Sequence, residues 1–195
     1  DPANYRPVSL TSQIGKIMVR IIKDDMVNFL ESNNLIKNSQ HGFRNKKSCL
    51  TNLLVFMEKV AEILNSREPV DVIYLDFQKA CDKVPHKRII VRLEEIGIKG
   101  QLLSWIKEWL NGRKQRVVIN GKASQWKEVD SGVPQGSILG PLLIIIFINV
   151  IDDGIVVTCS LSNLLMAYTV CLRDKTQNKM EHFVNIIMQF TTILS

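Results

Sequence analysis

Apolar residues recur at every third or fourth position in two stretches of the chain, which predicts two amphipathic helices. The first runs from Ile14 to Leu30 and the second from about Leu50 to Leu64. In each stretch the apolar positions share one side, so we expect that side to lie in the core. The segment between them, residues 33–48, is rich in Asn, Gln and Lys, and we interpret it as a polar connection.

A run of β-branched and aromatic residues, Val70–Phe77, predicts a strand that carries Asp76 near its end. Two short amphipathic helices are predicted next, over Lys87–Ile96 and Gln101–Leu110. Each ends shortly before a glycine, which is the residue that most often caps a helix C-terminus.

The most distinct turn signal is the Asn120-Gly121 dipeptide, which lies between two alternating segments. Both residues tolerate positive φ angles, so the pattern predicts a hairpin with a two-residue type I′ turn. A loop rich in Gly and Pro follows Gly132. It leads into a strongly apolar stretch, which predicts a buried helix over Ser137–Asn149. The sequence shows no internal repeat and no clear linker.

Composition changes this picture in a few respects. The chain has 195 residues, of which 46% are hydrophobic, so it can bury a core. Its net charge of +6 favours a polyanionic partner. The four cysteines are widely spaced and predict neither a zinc site nor a disulfide framework, which favours a reducing intracellular compartment.

The ends of the chain and its apolar run suggest how it relates to a whole protein. The longest apolar run, Ile138–Ile148, is too short for a bilayer, which needs about 20 residues. We therefore expect no membrane association. Because the first residue is Asp1 rather than Met, we expect a piece of a longer protein.

Several polar residues are candidates for chemistry. Asp76, at a strand end in a basic chain, is where a Mg²⁺ site for phosphoryl transfer is expected, although such an aspartate also forms turns and caps. The glycines of SGVPQGS, Gly132 and Gly136, let the backbone approach an anionic ligand or serve a plain loop-to-helix turn.

Basic and aromatic residues allow two readings each. Arg44 is a candidate for phosphate contacts, whereas the cluster Arg113, Lys114 and Arg116 serves either phosphate contacts or a solvated surface. The tryptophans can stack on bases, yet the spacing of Trp105 and Trp109 predicts that this pair packs in the core. The three histidines have no partner at catalytic spacing and receive no role.

Five blocks in order resemble the reverse transcriptase domain of non-LTR retrotransposons, the LINE elements of the jockey type. The resemblance implies an α/β (α+β) fold, namely the fingers and palm of a right-hand polymerase with the thumb absent. It implies an RNA-directed DNA polymerase that uses Mg²⁺, an RNA template, a DNA primer and deoxynucleoside triphosphates, in the cytoplasm or nucleus. The blocks are NYRPVSLTS (Asn4–Ser12), QHGFR (Gln40–Arg44), VIYLDFQKACDKVPH (Val72–His86), GRKQRVVING (Gly112–Gly121) and SGVPQGSILGPLL (Ser131–Leu143).

The same resemblance implies a domain order and residue roles. Residues 1–70 are expected to form a fingers-like segment, residues 71–160 a palm-like segment, and residues 161–195 a degenerate tail. Asp76 and the carbonyl of Phe77 are the implied metal ligands, and Asp76 is the implied catalytic residue. The implied nucleotide-binding residues are Arg44, Phe77, Cys81, Gln135 and Gly136; Pro134 belongs to the same loop, and Asp82 is the second acidic residue of the strand motif.

The sequence departs from the family at two places. Cys81 stands where the relatives carry an aromatic residue that excludes ribonucleotides, so we expect a looser pocket. The relatives also carry an aspartate pair of the type FADD on a tight hairpin, and no such string follows Gly136.

The adjacent acidic pair Asp152-Asp153 raises the question whether it replaces FADD. Asp152 follows Gln135 by 17 positions, and the predicted helix takes up about 13 of them. Too few remain to return along the sheet, so the pair is expected to be a turn. The alternative is an active enzyme that uses Asp152 and Asp153 as metal ligands.

Where FADD is expected, the chain reads LSNLLMAYT. We interpret Leu164, Leu165 and Met166 as a frame error, because a one-base shift converts codons for Phe-Ala-Asp into codons for Leu-Leu-Met. We therefore expect the strands of the catalytic hairpin to be missing and the chain to be an inactive relic. A non-catalytic RNA-binding module is the other alternative.

Overall fold

The structure, a computed structural model, describes residues 9–76, 80–150, 159–164 and 167–172. The chain divides into two compact units. Unit 1 is built from residues 1–27 and 79–147, and unit 2 from residues 28–78 and 148–195. Phe77, Asp152 and Asp153 lie outside the described residues. The two units are defined by contacts and do not test the assignment of fingers, palm and tail, which stays a prediction.

The secondary structure follows the predicted order. In the described part of the chain, the helices are α1 (Gln13–Ser32), α2 (Cys49–Asn65), α3 (Ala80–Lys83), α4 (His86–Glu95), α5 (Gly100–Leu110) and α6 (Gly140–Ile148). The strands are β1 (Asp71–Asp76), β2 (Lys114–Gln115), β3 (Val118–Ile119), β4 (Lys122–Ala123), β5 (Lys127–Glu128), β6 (Cys159–Leu164) and β7 (Ala167–Leu172). None of these helices is long and apolar enough to cross a membrane.

The core of unit 1 forms around α4, α5 and the apolar α6. Helix α4 packs against α5, and every residue of α6 from Leu142 onward is buried. The predicted buried helix is confirmed, but it begins at Gly140 rather than at Ser137. The reason is that the Ser137 hydroxyl accepts a hydrogen bond of 3.0 Å from the Gly140 amide, as an N-terminal capping side chain does.

Trp105 and Trp109 of α5 stack with their ring centroids 6.4 Å apart. Both are half-buried and line an apolar pocket of about 230 Å³ together with residues 11–19. Their spacing predicted that the pair packs in the core, whereas both side chains are half-buried, so this prediction is confirmed only in part.

The predicted hairpin at Asn120-Gly121 is confirmed. Asn120 has φ 48° and Gly121 has φ 77°, and β3 pairs with β4 on either side of them. A second ladder, β2 with β5, continues the same two chain segments. We call residues 114–128 the ribbon, and each of its residues is exposed.

Unit 2 contains a three-stranded antiparallel sheet in the order β1-β7-β6. Strands β6 and β7 form a hairpin in which Leu164 pairs with Ala167, and Ala167 also pairs with Asp76 of β1. The expectation that these hairpin strands are missing is therefore wrong. The segment AYTVCL is rich in β-branched and aromatic residues, and that composition favours a strand whether or not an acidic pair accompanies it.

The two long helices bury less than their pattern predicted. In α1, Met26 and Leu30 are buried, whereas Ile17 is 67% exposed and Ile21 is 61% exposed. In α2 only Ile63 is buried. The expectation that these whole faces lie in the core is wrong, because periodicity identifies an apolar face but does not supply an element to cover it.

Candidate functional site

The loop SGVPQGS, residues 131–137, is fastened to the segment CDKVP, residues 81–85, within unit 1. The two segments form an isolated antiparallel bridge between Ser131 and Pro85. Three further bonds join them: Gly132 N to Val84 O at 2.8 Å, Val133 N to Cys81 O at 2.7 Å, and Ser131 Oγ to Asp82 O at 2.8 Å. These bonds fix the loop beside Cys81 and Asp82.

Gly132 is required at the closest point of this contact. Its φ of 75° lies in the left-handed region, which glycine adopts without a steric penalty. A Cβ atom at this position would lie 2.6 Å from backbone carbon atoms of Asp82, and closer still to the carbonyl oxygen of Cys81. Both the conformation and the lack of space exclude a side chain.

The side chain of Gln135 also binds the segment of residues 81–85. Its Nε2 atom lies 3.3 Å from one carboxylate oxygen of Asp82 and 3.4 Å from the other, so the amide donates to the carboxylate. Its carbonyl oxygen accepts a bond of 2.8 Å from the Ser9 amide. The structure thus brings together Gln135 and Asp82, and Gly136 continues the loop with φ 90°.

Gln135, Asp82 and Arg113 line one polar cleft of about 450 Å³. Its walls come from the loop, from residues 128–130 and from the start of the ribbon. Cys81 is half-buried next to Asp82 and forms no disulfide. The cleft is large enough for part of a nucleotide, in a place where the resemblance predicted nucleotide contacts.

Sequence reasoning missed two residues that hold the loop, His86 and Arg113. His86 Nε2 lies 2.8 Å from the carbonyl oxygen of Gly132, and Arg113 Nη2 donates to the same oxygen at 2.7 Å. Arg113 also donates from Nε to the carbonyl of Leu110 at 3.1 Å. A carbonyl oxygen has two lone pairs, so it accepts both bonds, and neither residue gives a sequence signal because the partner is a backbone atom 46 or 19 positions away.

Burial is the main cause that lowers the pKa of His86, and the charge of Arg113 lowers it further. The hydrogen bond to Gly132 opposes these effects in part. The neutral ring then donates from Nε2 to the carbonyl, next to the cationic guanidinium. Burial also lowers the pKa of His41, with contributions from Lys47 and Arg44.

The free energy of unfolding is expected to fall as the pH is lowered from about 7.5 to about 5.5, because the unfolded chain protonates its histidines near pH 6.5. His86 and His41 have lowered pKa values in the folded chain, so they bind protons only at a lower pH than they do in the unfolded chain. Protonation between these pH values therefore stabilises the unfolded state relative to the folded one. Urea denaturation at the two pH values measures the change. His86→Gln, which keeps a donor for Gly132, should reduce the pH dependence; an unchanged dependence contradicts this assignment.

Arg44, the predicted triphosphate ligand, is engaged within unit 2. Its guanidinium forms a bidentate pair with Glu31, at 2.9 and 2.6 Å, and donates to the Lys37 carbonyl at 2.9 Å. The hydrogen bond from Arg44 is the main cause that lowers the pKa of Glu31. These bonds use three of the five guanidinium N–H groups, so only a phosphate that binds the Nε–Nη2 edge must replace the Glu31 carboxylate.

Asp76 is the last residue of β1, and the position directly opposite on β7 is Ala167. Residues 159–172, CSLSNLLMAYTVCL, which include β6 and β7, contain no Asp or Glu. The other carboxylate of β1, Asp71, lies five positions away at the far end of the strand, about 16 Å distant at 3.3 Å per residue. Among the described residues, no group of three or more candidate ligands for a metal ion occurs.

Within the described residues, this sheet alone does not supply the ligands of the two Mg²⁺ ions that the resemblance implied. Two adjacent metal ions need several carboxylate oxygens within one coordination distance, and the sheet contributes one carboxylate at this end. Asp152 and Asp153 lie outside the described residues, so their roles stay predictions. The structure leaves Asp76 opposite an alanine.

Comparisons with known proteins agree on one family. A family model described as reverse transcriptase (RNA-dependent DNA polymerase) matches residues 1–191. The chain is 34% identical over 147 residues to the RNA-directed DNA polymerase from mobile element jockey of Drosophila funebris. It is 32% identical over 143 residues to the probable RNA-directed DNA polymerase from transposon X-element of Drosophila melanogaster.

These alignments cover 75% and 73% of the chain but only 16% of each relative. Among solved structures, telomerase from Candida albicans, in complex with a fragment of telomeric RNA, matches with a TM-score of 0.68 at 10% identity. The match covers 89% of this chain and 32% of that chain. At this identity the likeness shows a shared fold.

Proposed function

Because the chain belongs to the reverse transcriptase (RNA-dependent DNA polymerase) family, we propose that it binds a primer–template but does not catalyse nucleotide addition. The binding half of the proposal is supported by the fastened SGVPQGS loop and by the net charge of +6. The catalytic half is supported by the donors around Asp76. Binding and catalysis are separable, because backbone N–H groups and cationic side chains of a protein bind the phosphates of nucleic acid without a metal ion.

One observation carries the loss of catalysis: Ala167 pairs with Asp76, on a hairpin whose sequence contains no carboxylate. Catalysis of phosphoryl transfer consists almost entirely of positioning and charge stabilisation, in which two metal ions act on the attacking and leaving oxygens. A site that holds one carboxylate loses most of this stabilisation. The rate falls by several orders of magnitude as a result.

Nucleotide binding at the fingers is weakened as well. A triphosphate that takes the bidentate edge of Arg44 competes with Glu31, because both are anions. Arg44 also donates to the Lys37 carbonyl, so three of its five N–H donors are used without a nucleotide. We therefore expect this competition to weaken the binding of the proposed substrates, deoxynucleoside triphosphates.

The binding half is tested by fluorescence anisotropy with a labelled RNA–DNA hybrid, in EDTA and in Mg²⁺. We expect equal affinity in both buffers and a steep loss of affinity with salt, because released counterions rather than metal ions drive the binding. An unrelated protein of net charge +6 is the control. Affinity no higher than that of the control contradicts the binding half of the proposal.

A further inference from the structure

The ribbon concentrates positive charge in a short exposed segment. Its 15 residues include the cations Lys114, Arg116, Lys122 and Lys127 and the single anion Glu128, which gives a net charge of +3. The whole chain has a net charge of +6. Half of the net charge therefore lies in a segment in which every residue is exposed, and such a concentration attracts a polyanion.

A large aromatic side chain lies among these charges. Trp126 is 60% exposed, although the guanidinium of Arg116 lies 4.6 Å from the centroid of its ring. The cation covers part of the indole and fixes its orientation. An exposed indole held beside an arginine offers a flat surface on which a base can stack.

Backbone pairing makes this surface rigid. Gln115 pairs with Lys127, so Arg116 and Trp126 occupy the next opposed positions of the same two segments. One step further, the Ser124 amide donates to the Val117 carbonyl at 2.9 Å, and the Val117 amide donates to Ser124 Oγ at 3.0 Å. The stacking surface is thus pre-organised between two ladders.

From these observations we infer that the ribbon is a binding site for single-stranded nucleic acid, separate from the SGVPQGS loop. A base stacks on Trp126 beside Arg116, while Lys122 and Lys127 contact phosphates on either side. Ribbon residues Val117, Val118 and Ile119 are 57–66% exposed and would also suit a protein partner. The charge and the Arg–Trp stack favour nucleic acid, because a protein surface matches this charge only where it is strongly acidic. The site goes beyond the proposed function, since it requires neither a primer end nor a nucleotide.

The test is anisotropy of the full chain with a labelled single-stranded oligouridylate across a salt series. Trp126→Leu is expected to weaken binding by about 5- to 150-fold, because loss of one base–aromatic stack costs that much, and Trp126→Phe should recover most of the affinity. Lys122→Gln with Lys127→Gln is expected to lower the slope of log affinity against log salt by about 1.4. Thermal unfolding of each variant should match the wild type, because all the altered side chains are exposed.

Lys99→Gln with Lys107→Gln is the matched control. Both lysines are exposed and lie outside the ribbon, and the double variant removes the same charge. The inference predicts a smaller effect on affinity and slope for this control. Equal effects of the two lysine pairs, or unchanged binding by Trp126→Leu, overturn the inference.

The same experiment separates this inference from the proposed function. Wild-type binding of the RNA–DNA hybrid, together with oligouridylate binding that the ribbon variants leave unchanged, overturns the ribbon site alone. Loss of oligouridylate binding in the ribbon variants supports the ribbon site. This holds even if the wild type binds the RNA–DNA hybrid no more tightly than the control protein of net charge +6 does. The inference is overturned if the wild type binds oligouridylate no more tightly than the control protein. It is also overturned if light scattering shows that the ribbon instead mediates self-association of the chain.

Discussion

Met166→Asp combined with Ala167→Asp is expected to raise the affinity of the chain for Mn²⁺ by at least about tenfold, because hard cations gain with each carboxylate ligand. Asp76 pairs directly with Ala167. Directly opposed residues of an antiparallel pair have Cβ atoms about 5 Å apart, so two carboxylates there can share one ion. Isothermal titration or the Mn²⁺ resonance signal measures the affinity.

The matched control places two aspartates on another hairpin. Val118 and Ala123 form a directly opposed pair of the ribbon, and their double aspartate variant adds the same charge without a third carboxylate such as Asp76 opposite. A gain of similar size in this control contradicts the account. Asp76→Ala in the Met166, Ala167 variant should remove the gain.

Gly132→Ala is expected to lower the free energy of unfolding by about 2–5 kcal/mol, which combines left-handed strain with overpacking. The added methyl group would meet the backbone of Asp82 at 2.6 Å, and backbone atoms move only when the whole segment moves. The change would also disturb both bonds that His86 and Arg113 make to the Gly132 carbonyl. Urea denaturation measures the loss, unless the variant fails to fold at all.

Gly121→Ala separates conformation from space. Gly121 has φ 77°, close to the 75° of Gly132, but a Cβ atom there meets nothing within 4 Å. Its cost is therefore the left-handed strain alone, about 1–2 kcal/mol. Equal losses in the two variants would show that the contact with residues 81–85 contributes nothing.

The local parts of the fold were predictable from the sequence. The type I′ turn follows from Asn120-Gly121, and the ends of α4 and α5 follow from their apolar spacing. The structure places α4 over His86–Glu95 and α5 over Gly100–Leu110, within one residue of the predicted bounds. The turn and the helix ends depend on residues only a few positions apart in the sequence, so the types of those residues specify them.

The contacts of the site were not predictable, because they join distant residues through backbone atoms. Gln135 meets Asp82 across 53 positions, and His86 meets the Gly132 carbonyl across 46. The motifs implied that the loop and residues 81–85 serve one site, but not which atoms join these two segments. Likewise, the spacing predicted an apolar face on α2, although Leu53 and Leu54 remain 54% and 58% exposed.

The search for an acidic pair also misled the prediction for the hairpin. The missing FADD string suggested missing strands, whereas the strands are present and only the carboxylates are absent. Pairing of β6 with β7 and of β7 with β1 needs backbone bonds and a suitable strand pattern. Catalysis needs specific side chains as well, so the presence of these strands does not imply a complete site.

The central claim is that this reverse transcriptase domain has lost catalysis with the carboxylate partners of Asp76. Primer extension on an RNA template, in Mg²⁺ and in Mn²⁺, tests it most directly, with wild type compared to Asp76→Ala and Asp152→Asn. The account predicts that wild type incorporates nucleotides no faster than Asp76→Ala. Metal-dependent incorporation that Asp76→Ala abolishes would contradict it, and its loss in Asp152→Asn would assign the missing ligands to the pair Asp152-Asp153.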